Sequence, residues 1–508
     1  MGDTFTKSMA LLHTWVGVII GSVLFAMFWF GTLSVFASEI DRWMLPQTRI
    51  VPAIAHATAP LSLDRLAALA APQIPKEAKQ WRIDLPTARN PTAELTWRTA
   101  GAGGDEHARL IDPVTYSLLA PQQSHGATGF FVPFHYMLHI AWLDLGKWLA
   151  GLAAMAMLAL LVSGVVIHKK IFIQLFTFRP HKRLQRSALD LHNLTGVVAL
   201  PFHFMIALSG LVIFITIYFP QLHAGAYGTD ARAKAAFMAD AYGKYARKPA
   251  GAPGPLASLD AMRATAQQQW GGGQPYFVRV FHPGDANSYV ELRRSYANDV
   301  TMNLDQVYFD AATGKVLARF EAGPVMTAQR FISGLHFIRF DHALLRWLYF
   351  AGGLAGCVMI CTGFLFWIEA RRAQHAKKGL AGVRVVEGLT IGSVTGIVLA
   401  TQVFMVANRL LPADGQHGEN AALEVQAFYG AWALSFAHAW WRGRTAWRGQ
   451  AGAIAALAVL AVALNWASTG DHLYRTLAQG RYAVAGVDLM LVGVALAGAY
   501  IARRLRTS

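Results

Sequence analysis

The chain has 508 residues, 54% of them hydrophobic and 15% charged, with a formal net charge of +16. This composition excludes a disordered or collagenous chain, and a total of two cysteines excludes a disulfide-framed one. On a soluble protein the positive charge would suggest nucleic acid; on a membrane protein it more often reflects basic cytoplasmic loops, so the distribution of apolar residues decides.

About 20 consecutive apolar residues suffice to cross a bilayer as a helix. In chain order such stretches fall at residues 11–36, 148–167, 194–219, 345–367, 386–411, 423–440, 451–466 and 484–501. The first is too long for the apolar region of a signal peptide and no small-x-small cleavage site follows, so it reads as a retained anchor. Basic residues collect after the second stretch (HKKIFIQLFTFRPHKRLQR), after the fourth (EARRAQHAKKG), between the sixth and seventh (WRGRTAWRGQ) and at the end (IARRLRTS). With eight spans all four fall on one side, which the positive-inside rule makes the cytoplasm. Both termini are then cytoplasmic, and two long connections lie outside.

Those connections, residues 38–135 and 220–336, resemble each other. The first carries SLDRLAALAAPQIP, WRIDLP, AELTWR and RLIDPVTYSLL; the second carries SLDAMRATAQQQW, YFVRVFHP, SYVELRR and VYFDAATGKVL. Each predicts a short helix followed by three or four alternating strands, hence an internal repeat with one small α+β domain in each half. The competing reading is two unrelated spacers.

Of 18 histidines, several sit in or beside apolar helices, where an ionisable group is costly and marks function by default. His13 and His192 fall at one cytoplasmic depth; His139 and His336 fall at one outer depth. Two facing imidazoles are what a low-spin b-type haem takes as axial ligands, so the spacing predicts two haems, one near each face. His135 shares a helical face with His139 at i, i+4, and His203 lies on the face of His192, about 16 Å further along a straight helix. His168, beside Lys169 and Lys170, belongs to the basic edge. Arg339 and Arg346 are candidate partners for propionates at the outer pair, and Lys182, Arg183 and Arg186 at the inner. Trp15, Phe25, Phe28 and Trp29 are candidate porphyrin contacts, and glycines such as Gly164 and Gly356 admit close helix approach or a flat macrocycle. Cys357 and Cys361 read as packing residues. Zinc, the rival metal, wants four close ligands, which neither pair supplies. No nucleotide-binding loop, nucleophile elbow or HExxH occurs.

The segments LHTWVGVIIGSVLFAMFWFGTLSVF, FHYMLHIAWLDLGKWLAGLAAMAMLALLVSGVVIHKKIF, LDLHNLTGVVALPFHFMIALSGLVIF and LHFIRFDHALLRWLYFAGGLAGCVMICTGFLFW together resemble the PepSY-associated transmembrane helix family, over roughly residues 8–372. The resemblance implies an α-helical bacterial inner-membrane protein with a four-helix haem-binding core and two periplasmic PepSY-like domains. Its divisions are a first span at 8–37, domains at 38–135 and 220–336, paired spans at 136–219, a fourth span at 337–372, and a C-terminal four-helix extension at 386–508. Members include di-haem ferric-siderophore reductases, which implies His13, His192, His139 and His336 as ligands of two haems b; His203 and His135, which depart from the family's pattern, are secondary candidates for cofactor binding. Partners are then the lipid bilayer, a periplasmic iron chelate and a cytoplasmic or quinol electron donor, with no nucleic acid. Two other readings stand beside this one: a membrane-anchored sensor or regulator of a periplasmic protein, and a transporter in which Asp488 is the main intramembrane charge.

Overall fold

A computed structural model describes residues 2–50, 61–99, 106–168, 171, 177–180, 182–412 and 419–505. Its contacts divide the chain into two units: a helical one (Met1–Pro46, Gln123–Leu211, Ala343–Ser508) and a sheet unit (Gln47–Gln122, Val212–His342). Lys169 and Lys170, expected beside His168, lie outside the described residues.

The helical unit comprises α1 (Gly2–Ser34), α2 (Ala37–Met44), α3 (Gly126–Met137), α4 (Leu145–Ile167), α5 (Leu184–Val198), α6 (Leu200–Ile213), α7 (Ala343–Lys377), α8 (Gly382–Leu410), α9 (Glu419–Arg442), α10 (Ala446–Thr469) and α11 (Tyr482–Arg504). Among the described residues six helices are long and apolar enough to cross a membrane, or seven if the bent pair α5–α6 is one span. This makes the chain a membrane protein. The sequence reading of eight differs in one place, Glu419–Thr469, which counts as one helical stretch of 51 residues. Yet Gln450 Nε2 donates to the Ser435 carbonyl at 2.9 Å across a separation of 15 residues. On a continuous helix those groups would stand about 22 Å apart. The chain therefore turns back between α9 and α10, where Gly443 takes a left-handed φ of 55°.

The bend between α5 and α6 is 65°. Pro201 supplies no N–H to the turn behind it, and its ring crowds that turn, so the ladder breaks at Ala199. A straight helix through His192 and His203 does not form, and the shared face expected of them is lost.

Helices α4 and α6 pack on α1 and α7 in one cluster around Leu24, Met157, Leu160 and Met359, while an aromatic core joins α1, α2, α3 and α7 to α8–α11. Phe30 lies 4.4 Å from Phe134, and Phe130 stacks on Phe404 at 4.6 Å, ring centre to ring centre. Phe428, Ala458 and Val487 are buried in the same cluster. The segment expected as a C-terminal extension is thus packed into the core of the family-like helices. Buried acids tie it there: Asp488 accepts from Trp43 Nε1 at 2.8 Å and from Asn465, and Glu424 accepts from Ser124 Oγ at 2.6 Å and Asn408 Nδ2 at 2.8 Å.

The sheet unit corrects the expectation of two separate small domains. Strands β1 (Gln80–Asp84), β2 (Ala93–Arg98), β3 (Glu106–Asp112), β4 (Ser117–Leu118), β5 (Pro275–Phe281), β6 (Tyr289–Arg294), β7 (Gln306–Asp310) and β8 (Val316–Phe320) form one antiparallel sheet. Its order is β4-β3-β2-β1-β5-β6-β7-β8, so the two repeats join at β1 and β5. The helices Leu63–Ala70 and Leu259–Gln269 cover one face, burying Leu63, Leu66 and Ala70 from the first repeat and Leu259, Met262 and Ala266 at the same spacing from the second. The repeated Ser-Leu-Asp motif explains the pairing. Asp260 accepts from Ser62 Oγ at 2.7 Å and the Leu63 N–H at 2.9 Å; Asp64 accepts from Ser258 Oγ and the Leu259 N–H, both at 2.6 Å. Each repeat thereby caps the helix of the other, placing a carboxylate at its positive end.

Burial alone would raise the Asp260 carboxyl, but the hydrogen bonds from Ser62 and Leu63 outweigh it and hold it below the ordinary range. A depressed native pKa stabilises above the unfolded titration range and is lost as pH falls through the native one. Asp260→Ala is expected to cost about 1 kcal/mol at neutral pH. In thermal melts of the purified chain its deficit against wild type should shrink below about pH 4.

Candidate functional site

The conspicuous chemistry of the helical unit is a set of imidazoles, each held by a backbone carbonyl of a neighbouring segment. A carbonyl only accepts, so each such bond fixes which ring nitrogen carries the proton. His13 on α1 donates from Nδ1 to the Leu160 carbonyl of α4 at 3.0 Å, with Ser163 Oγ at 3.1 Å. His192 on α5 donates from Nδ1 to the Met359 carbonyl of α7 at 2.8 Å. The two rings meet with centres 6.2 Å apart and planes at 84°. Both remain half-buried, and on each the nitrogen left with a lone pair is Nε2. The pairing read from matched depth is therefore what the fold brings together.

A glycine stands opposite each of these rings. A Cβ on Gly164 would come within 3.3 Å of His13 Cε1, and one on Gly363 within 3.1 Å of His192. Gly31 does the same for His135, at 2.8 Å, and Gly356 for His203, at 3.2 Å. Gly31 and Gly363 escaped the sequence reading. The available signal was spacing, since Gly356 and Gly363 lie two turns apart on one face of α7 and meet His203 and His192.

The remaining histidines depart from expectation. His135, on α3, donates from Nδ1 to the Met27 carbonyl at 2.8 Å. His139 lies beyond the end of α3, because Leu138 and His139 both take left-handed φ values (50° and 55°) that stop the helix. The expected i, i+4 face shared by these two does not form. His139 instead donates from Nε2 to the Phe130 carbonyl at 2.8 Å and stacks on that ring at 4.6 Å. His203 is fully buried, donates from Nε2 to the Gly352 carbonyl at 3.2 Å and meets Phe28 edge-on at 5.5 Å. Its Nδ1 is buried without a hydrogen-bond partner, a costly state for a polar atom. His336 belongs to the sheet unit, in the last turn of the helix Pro324–Phe337.

Several charged candidates are engaged. Arg179 and Arg186 both bind Asp190, at 2.8 and 3.3 Å, while Lys182 and Arg183 are exposed. Arg346 binds Glu39 at 2.6 Å, and Arg339, in the sheet unit, reaches the Tyr296 hydroxyl at 3.4 Å. Trp15 is half exposed; Trp29 donates to Thr401 Oγ1 at 3.0 Å; Phe25, like Cys357, is buried core. Asp488, bound to Trp43 and Asn465, is placed as a structural group. Among the described residues no three of His, Cys, Asp or Glu converge as on a metal ion, so a tetrahedral zinc centre has no donor set there.

These features define a polytopic membrane protein with imidazoles paired between its helices and an α+β unit inserted among its spans. The chain belongs to the PepSY-associated TM family, whose description, "PepSY-associated TM region", matches residues 10–370. It is also similar to an uncharacterized protein, PA4219, of Pseudomonas aeruginosa strain PAO1. The two are 29% identical over 385 residues, covering 70% of this chain and 89% of that protein. Helices α8 to α11 lie beyond the family match, yet share its core.

Close approach at the glycines is testable. A Cβ at Gly356 would meet Phe28 at 2.4 Å, whereas one at Gly493 meets nothing within 4 Å. Gly356→Ala is expected to destabilise by about 1–3 kcal/mol. It should lower the thermal midpoint in detergent, while Gly493→Ala leaves the midpoint unchanged or slightly raised.

Proposed function

We propose that this chain is a b-type haem oxidoreductase of the bacterial inner membrane, passing electrons from the cytoplasmic side to a periplasmic acceptor, ferric-siderophore iron. The observation that carries the reading is the His13–His192 pair. It comprises two neutral imidazoles on different helices, each with its proton fixed on Nδ1 by a backbone carbonyl. This is the supporting arrangement that orients a ligating histidine and raises its basicity. A haem held there would supply reversible one-electron chemistry.

The chain's own residues have defined parts in this reading. Leu160 and Met359 hold the two rings in one tautomer through their carbonyls. Gly164 and Gly363 leave room beside them, and the exposed Lys182 and Arg183 offer cations to carboxylates near the cytoplasmic edge. The family resemblance assigns a second haem to His139 and His336. On the helical unit His203, buried with its Nδ1 unpartnered, is a further candidate ligand. The inner-membrane location, the cytoplasmic termini and the periplasmic sheet unit belong to the same proposal and rest on the basic loops.

A pyridine haemochrome spectrum of the detergent-purified chain tests it, since one measurement reports haem type and stoichiometry. Two haems b per chain are expected, with one lost in His13→Ala and in His192→Ala. A protein without a Soret band, or bands unchanged in both variants, would sink the proposal.

A further inference from the structure

The helices Leu63–Ala70 and Leu259–Gln269 cover only one face of the sheet. The other face holds a cavity of about 440 Å³, within the size range of small-molecule sites. Alternation along the strands sends Arg82 of β1, Arg279 of β5 and Arg293 of β6 to this face, and Arg98 and Lys244 complete a ring of five cations. Two carboxylates, Asp84 and Glu291, oppose them, leaving the lining at +3. Both carboxylates are already bound: Asp84 by Arg82, Glu291 by Arg279 at 3.2 Å and by Arg293 at 2.9 Å.

Three guanidiniums crowd a single ring, with Arg82, Arg279 and Arg293 at 4.1, 5.0 and 5.4 Å from the centre of Phe277. Arg82 and Arg279 stand opposite each other in register across the β1–β5 seam, where like charges are destabilising. The Nε atoms of all three are buried with no hydrogen-bond partner. Burial, with Arg82 and Arg293 nearby, pushes the Arg279 guanidinium below its ordinary range against the pull of Glu291. A fold that places cations face to face and leaves their donors unmet breaks a local rule of sheet stability, as functional sites do. Tyr245, Phe281 and Tyr308 add flat apolar walls.

We infer that this cavity binds a soluble organic polyanion, one bearing two or more carboxylates or phosphates on a compact body. Its oxygens would take terminal N–H groups of the guanidiniums that line the cavity in charge-assisted bonds, and its body would lie against the aromatic walls. The inference does not rest on the haem reading, and the two fail separately: one is read from absorbance, the other from binding heat.

Isothermal titration of the full chain in detergent with citrate, and separately with pyrophosphate, tests it. Saturable binding of at least one probe is expected, weakening as salt is raised. Arg279→Gln should weaken it about tenfold or more, and Lys244→Ala, at an exposed position that the sheet does not depend on, severalfold. No saturable binding of either probe at millimolar concentration overturns the proposal. Equal affinity in wild type and in Lys244→Ala and Arg279→Gln variants of unchanged melting temperature does so as well.

Discussion

The bond from an imidazole N–H to the carbonyl of a neighbouring segment is the interaction on which the helical unit turns. A ring placed among apolar helices finds no water, so its N–H must be met by protein. A helical carbonyl, already accepting its own ladder bond, has a second lone pair to offer. Reaching it requires the ring to lie against the neighbouring backbone, which a side chain on that neighbour would prevent. Hence the glycines opposite His13, His135, His192 and His203. The histidines and glycines are one device divided between different helices, and α4 and α7 supply both the acceptor and the space for the His13–His192 pair.

The sheet unit follows another logic, that of a repeat folded on itself. The exchanged Asp64 and Asp260 caps make each repeat's helix depend on the other, and the antiparallel β1–β5 ladder makes their sheets continuous. The same join creates the cation cluster. Equivalent arginines from the two repeats, Arg82 and Arg279, are brought opposite each other because the strands that carry them pair. What stabilises one face of the sheet, two capped helices over an apolar layer, thereby concentrates charge on the other.

Much of this was legible in the sequence. Hydropathy marked the helices that cross, the strand alternation marked three or four strands in each repeat where the structure has four, and matched depth marked His13 and His192 as neighbours. The misses share a cause. That the two repeats make one sheet depends on a pairing between residues nearly 200 positions apart, which no local pattern reports. That His139 leaves the helix depends on two left-handed residues without a glycine between them. The bend at Pro201 was written in the chain, but the apolar run through it conceals a break that costs a single N–H. The hydrogen bonds of the histidines were illegible in principle, since backbone carbonyls carry no sequence signature.

The segment beyond the family match takes on a different meaning once its contacts are known. An appended permease would keep its polar groups for its own pathway. Here the buried acids of that segment point back into the family-like helices: Asp488 receives Trp43, and Glu424 receives Ser124. A buried carboxylate is expensive unless its acceptor sites are filled, so both are committed to holding segments of the chain together. Phe404 then closes the aromatic core over Phe130, the ring on which His139 lies. The last four helices are thus built into the same packing as the family-like ones, lying against α1, α2 and α7 rather than standing apart from them.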